Sequence, residues 1–295
     1  MKINNLRKKA IHMNQFKSRC QCLESCKKKS LPGEAFCTEH LQFCPRKPGL
    51  NGFEPDYDPD RWNNYKSVRI THNCFSYAFN LMDPKQIRKC LADPNCDPKN
   101  PGEDCQGSCD VPFHQPGSVS GYPRFTDKDP KTCPNMIGRI YGDNPSVQHS
   151  TSFKASTFEG KCPAGSSKIA LIVDEKQDYH FLRQDNTGFF SQKSGAMPVT
   201  NLDAQGHKIY DVPLANHFFK RHNKDDEPLN YDRFCGYFCV PRDRLLHADV
   251  GGGSNMNNIA NPSTRVEGGS NMNNIARKKS KYRFTKKVKK GLSRR

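Results

Sequence analysis

No apolar run in this 295-residue chain approaches the roughly 20 residues that a membrane-crossing helix needs, so no transmembrane segment is expected. Nor does an apolar stretch follow the basic start (Lys2, Arg7, Lys8, Lys9), so no secretory leader is expected. The chain is therefore expected in the cytoplasm or nucleus of a host cell, or in a virion, and no membrane partner is expected. Hydrophobic residues make up only 34%, and Trp62 is the single tryptophan. The shortage lies at the ends, and the centre retains enough apolar residues for a core. Acidic residues are absent from 277–295, which carry 11 Lys/Arg, while residues 1–50 carry 11 Lys/Arg against 3 Asp/Glu. The net charge of +17 therefore belongs to the two ends, since 51–276 hold 25 basic and 27 acidic residues. Any polyanion, nucleic acid included, is expected to meet those ends without sequence preference.

What is abundant is cysteine, with 14 residues. Without a leader, so many thiols point to metal ligands and free cysteines more than to disulfides. The first group is Cys20, Cys22 and Cys26, followed by Cys37 and His40. Cys37-x2-His40 is a compact ligand pair, and Cys26 with Cys20 or Cys22 completes a tetrahedral Cys3His set suited to structural Zn2+. Cys20, Cys22 and Cys44 compete to be the spare thiol. So short a segment needs its metal to fold, and 1–44 is expected to be a separate zinc module. The run from Cys26 through Lys27-Lys28-Lys29 and Pro32-Gly33 to Phe36-Cys37-Thr38-Glu39-His40 resembles a short Cys/His module of phage and large DNA virus proteins. A Pro/Gly-rich linker spans 45–61, and a central domain is expected over 62–248.

Inside that domain, Asn73 is a good helix N-cap, which puts Cys74 at the first helical position. The unsatisfied N–H groups there favour a thiolate, the nucleophilic form. Tyr77, Ala78 and Leu81 follow as an apolar stripe, the helix is expected to run to Met82, and Asp83-Pro84 starts another. Residues 92–165 read as a loop-rich insertion. Cys90, Cys96, Cys105 and Cys109 would staple it either as a second metal site or as two disulfides. Ile169–Val173 reads as a buried strand, and Asp178–Gln184 and Phe189–Lys193 as a hairpin about Asp185-Asn186-Thr187-Gly188. Cys235–Val240 is a last strand, and a helix is expected near Leu214–Arg221. The fold class is α+β, a cysteine-bearing helix followed by an antiparallel sheet.

A thiol nucleophile needs a base, and the base an orienting acceptor. His180 begins a strand, and Gln192 is the best acceptor in the window opposite it. The order helix-starting cysteine, strand histidine, polar residue on the next strand resembles papain-like cysteine peptidases, in particular the bacterial cell-wall amidase and endopeptidase branch. The stretches Asp178–Asp185, Gly188–Gly195 and Gly236–Pro241 are similar to segments of such proteins. The resemblance implies Cys74 as nucleophile, His180 as base, Gln192 as orienter, and a peptide, protein or peptidoglycan-type amide as substrate. Only Asn64 and Tyr65 stand where an oxyanion-hole side chain belongs. The other expectation is a non-catalytic, nucleic-acid-associated structural protein such as a virion component. Gly-Gly-Ser-Asn-Met-Asn-Asn-Ile-Ala occurs at 252–260 and at 268–276, so 249–276 reads as a flexible spacer before the disordered basic arm 277–295.

Overall fold

Nine successive buried residues, Ser166–Asp174, form the central strand β3. A strand buried on both faces must be covered on both sides, and the surrounding chain is arranged to do so. In the computed structural model, which describes residues 11–12, 19–100, 102–126, 129–143, 154–220 and 227–242, β3 is flanked by antiparallel β4 (Asp178–Gln184) and β9 (Arg233–Pro241). The sheet continues from β4 to β5 (Phe190–Lys193) and β6 (Val199–Thr200). At its other edge β1 (Ile11–His12) and β2 (Lys154–Ser156) both pair with β9. The Asp185–Gly188 turn closes the β4–β5 hairpin, with Gly188 at φ 85°. A separate two-stranded ribbon joins β7 (Phe218–Phe219) to β8 (Leu229–Asn230). It stands where the sequence suggested a helix, and a 3-10 turn at Val212–Leu214 precedes it.

One face of the sheet carries the helices. They are α1 (Asp60–Asn63), α2 (Lys66–Thr71), α3 (Cys74–Ala78), α4 (Pro84–Leu91) and α5 (Cys133–Asp143). Cys74, Phe75, Ala78 and Phe79 pack with Met136 and Ile140 over Ile169, Leu171, Val173, Tyr179 and Phe181. Asn73 caps α3 as expected, its side chain accepting from the Ser76 N–H at 3.1 Å. The helix is shorter than its apolar stripe suggested, because Asn80 turns left-handed at φ 57° and ends it. Asp83 caps α4 through the Lys85 N–H. Helix α5 lies inside the stretch 92–165 that reads as loop. Pro, Gly and Asp dominate that stretch, and one amphipathic segment is hidden among them.

The opposite face is covered by residues 19–44, the described part of the segment that the sequence reads as a zinc module at 1–44. Cys20, Cys22, Ala35, Cys37 and Cys44 share one core with Ala170, Ile172, Leu182, Phe190 and Tyr237. Gln21 is the pin, its amide meeting Lys208 O, Tyr210 N and Asp211 N. The Phe36 ring packs edge-on against Tyr210, 4.7 Å between centroids. The described residues accordingly belong to one compact unit. The spacer 249–276 and the arm 277–295 lie outside the described residues.

Cysteine usage also departs from expectation. Ten cysteines pair as Cys22–Cys44, Cys90–Cys109, Cys96–Cys105, Cys133–Cys235 and Cys162–Cys239. Cys235 is freed for its partner on α5 by a bulge. Leu171 pairs with Gly236 and Ile172 with Phe234, so Cys235 faces no residue of β3.

Candidate metal centre and the Cys74 site

Four donors converge in the segment that covers the sheet: Cys20, Cys26, Cys37 and His40, with ligand atoms all within 4.8 Å of one another. Tight backbone turns bring them together. Cys26 N–H donates to Leu23 O and His40 N–H to Cys37 O, each at 3.0 Å, and Cys20 N–H reaches Lys28 O at 2.9 Å. His40 Nδ1 lies 3.3 Å from Cys20 Sγ and 3.4 Å from Cys37 Sγ, and the Cys26 and Cys37 sulfurs are 4.0 Å apart. Tetrahedral coordination with ordinary metal–sulfur and metal–nitrogen bonds puts sulfurs ~3.8 Å apart and sulfur and nitrogen ~3.5 Å apart. The donor set therefore has the dimensions of a metal cage. Burial pushes the Cys20 thiol up to about 11. Burial also opposes a Cys37 thiolate, but the His40 backbone N–H and the neighbouring thiols and imidazole hold it below the ordinary thiol range.

Cys22 must be removed from the expected ligand set, because it is bonded to Cys44. Cys20 and Cys22 are only two residues apart, and the bond to Cys44 takes Cys22 and leaves Cys20 to the cage. Cys90, Cys96 and Cys105 also bring their sulfurs within 4.8 Å, but each belongs to a disulfide.

The residues expected to form a catalytic triad are only partly brought together. His180 Nε2–H donates to Gln192 Oε1 at 2.9 Å, and Gln192 Nε2 donates to Leu202 O at 2.5 Å. That chain of bonds fixes the glutamine amide and leaves Nδ1 as the unprotonated ring nitrogen. His180 pairs with Ile172 and stacks 5.3 Å from Tyr231, so its ring lies on the face covered by the N-terminal segment. Burial, with His217 beside it, lowers its pKa to about 3.

Cys74 stands at the capped start of α3, as read from the sequence, but it belongs to the helical face with Tyr179 and Phe181. Its Sγ lies 4.0 Å from Tyr179 O and makes no hydrogen bond to His180. Burial pushes the thiol up to about 12, the Asp178 carboxylate adding to the effect. On β5 the residue that shares the Cys74 side is Lys193. Tyr77 OH meets Ser191 Oγ at 2.6 Å, and one turn back on α3 and two residues along β5 lead to Cys74 and Lys193. Lys193 Nζ donates to Arg69 O and Gly195 O, each at 2.6 Å, and burial lowers its pKa to about 7. Asn64 merely ends α1, and Tyr65 is exposed. A pair that sequence reasoning missed is His114 Nε2 with Asp83 Oδ2 at 3.2 Å, where Asn73 Nδ2 also donates to His114 O. His114 stands alone in an irregular stretch, so no periodicity marked it.

A Cys3His group with the dimensions of a metal cage thus sits on an α+β scaffold that carries five disulfides. No family model matches the chain, and no solved structure matches it. It is similar to "Insoluble matrix shell protein 1" of Ruditapes philippinarum, 26% identical over 162 residues, which cover 54% of this chain and 80% of that protein. Among the described residues no helix is long and apolar enough to cross a membrane.

Proposed function

We propose that this chain is a non-catalytic structural protein of an extracellular matrix, stapled by disulfides, with one zinc ion held by Cys20, Cys26, Cys37 and His40. The observation that carries the reading is how the fourteen cysteines divide. Ten are in disulfides, three join His40 in a metal-sized cage, and Cys74 alone is buried without either role. Disulfides persist in oxidising compartments and are rare in cytosolic proteins. Thiolates held by a d10 ion are protected from oxidation, so a cage can coexist with disulfides in one chain. Similarity to a shell matrix protein supports the same setting. The basic ends then act as tethers to acidic matrix polymers rather than to nucleic acid.

The test is a thiol and metal count on the full chain made in an oxidising compartment. One zinc per chain, and four titratable thiols in denaturant with chelator, are expected. Fourteen free thiols would refute the reading, and four thiols without bound zinc would refute its metal half.

A second reading, a cysteine peptidase or amidase, is favoured by the 2.9 Å His180–Gln192 pair and by the capped helix that starts at Cys74. It requires the Cys74 thiol to reach His180 Nδ1 and give it a proton, the thiolate to attack an amide carbonyl, the imidazolium to protonate the leaving amine, and water to cleave the acyl-enzyme.

A further inference from the structure

The cage does more than close the N-terminal segment: it sets two exposed strips of chain side by side. Cys26 and His40 are both cage donors, so Lys27-Lys28-Lys29 and Leu41-Gln42-Phe43 leave the same point. Lys28 pairs with Glu39 across the gap between them. Lys27 and Lys29 are exposed and carry no carboxylate partner among the described residues. Phe43 is 65% exposed and Leu41 46% exposed, although the next residue, Cys44, is buried in its disulfide. The Lys47 ammonium sits 5.4 Å from the Phe43 ring centroid. Single exposed apolar residues are ordinary, but Leu41 and Phe43, with Lys47 at the Phe43 ring and Lys27 and Lys29 on the adjoining strip, form a mixed apolar and cationic patch.

We infer that this patch is a binding site for an acidic polysaccharide, with Phe43 stacking on a sugar ring and Lys27, Lys29 and Lys47 meeting its carboxylates. A uronate unit carries an anionic group and an apolar C–H face on one ring, the combination that a phenyl group beside ammonium groups recognises. The inference rests on the extracellular reading, which also discriminates among polyanions. Nucleic acid and the anionic lipid leaflet both belong to the reducing, cytoplasmic side, where five disulfides would not persist. The run at 277–295 also interleaves rings, Tyr282 and Phe284, with its cations, so substitution at Phe43 is what separates the patch from that run.

The experiment uses the full chain, loaded with zinc, against oligogalacturonate, a random DNA duplex and phosphatidylserine vesicles at fixed salt. The tail contributes equally to every variant and cancels in the ratios. Phe43→Ala removes an exposed side chain, so thermal unfolding should be unchanged. It should weaken oligogalacturonate binding about fivefold, the loss of roughly 1 kcal/mol of ring contact, and leave the duplex unaffected. Lys27→Glu with Lys29→Glu should weaken both polyanions by about tenfold or more. Equal oligogalacturonate affinity for Phe43→Ala and the parent would overturn the inference, as would equal losses on glycan and duplex. Vesicle binding that falls with Phe43→Ala while glycan binding holds would reassign the patch to lipid and overturn it too. Thiol counts on the same samples separate the outcomes. Four thiols with an unresponsive patch refute the glycan site alone, and fourteen refute the extracellular reading beneath it.

Discussion

Gln21→Met is the sharpest test that the N-terminal segment and the sheet are one cooperative structure. Gln21 is 1% exposed. Its Oε1 accepts from Tyr210 N at 2.6 Å and Asp211 N at 3.1 Å, and its Nε2 donates to Lys208 O at 2.9 Å. Methionine has nearly the same volume, so little cavity opens and the perturbation is almost purely polar. Three buried backbone groups lose their partner, each worth about 1–3 kcal/mol. Allowing for partial relaxation, the expected loss is roughly 3–6 kcal/mol, a large fraction of the ~5–15 kcal/mol that holds a domain together. Trp62 lies in the helical layer, against Tyr77 at 5.1 Å, and is the single tryptophan of the chain. Its fluorescence in a urea titration therefore reports unfolding on the side of the sheet away from the substitution. A midpoint lowered by roughly 1–2 M is expected. A shift below about 0.3 M in the Trp62 signal, with Gln21→Met folded and metal-loaded, would mean that residues 19–44 unfold on their own and that the shared core is an incorrect description.

Acid should unfold the protein steeply. Burial lowers His72 to about 4 and His180 to about 3, and also depresses His217. The unfolded chain then binds more protons below pH ~6.5, so the stability these three contribute is complete above that pH and is lost as pH falls towards 4. The slope is up to about 1.4 kcal/mol per pH unit for each histidine, and equal urea midpoints at pH 7 and pH 5 would contradict it. Cys74 should be the last thiol to react with iodoacetamide at pH 6, labelled only on unfolding; rapid labelling at pH 6, ahead of the cage thiols, would instead support the hydrolase reading.

The features legible in the sequence rest on short-range chemistry. Asn73 before Cys74, Asp83-Pro84, the continuous apolar run at 169–173 and the Asp-Asn-Thr-Gly turn each have a mechanism within a few residues. The features that were not legible depend on distant pairing. Cys133 and Cys235 are 102 residues apart, and Cys162 and Cys239 are 77 apart, separations at which sequence carries no geometric information. The Cys3His donors were legible because three of them fall within 15 residues, but the choice of Cys20 over Cys22 depends on which thiol faces Cys44. In 19–44 the local hint of a covered face is Ala35-Phe36, an apolar pair set between Glu34 and Cys37.

The relation between Cys74 and His180 turns on strand parity. Leu182 pairs directly with Gln192, so His180, two residues before Leu182, shares its face with Gln192 and meets it diagonally. The same alternation sends Tyr179, Phe181 and Lys193 to the other face, where α3 lies. A one-residue slip of the hairpin would exchange the two sets, but Ile172 and Leu182 on one side and Leu171 and Phe181 on the other fix the register from both cores. The remaining route to a thiol–imidazole pair is for α3 to move around the strand. Its start is held by Asn73 Nδ2 to His114 O at 2.9 Å and its end by Arg242 Nη2 to Ala78 O at 3.0 Å. Between them Tyr77 is tied to Ser191 at 2.6 Å and packed against Trp62. A helix of five residues held at both ends and in the middle cannot shift without breaking bonds in the core it caps. In this fold burial outweighs the helix N-terminus that favours a thiolate, and Cys74 packs with Tyr179 and Phe181 of β4.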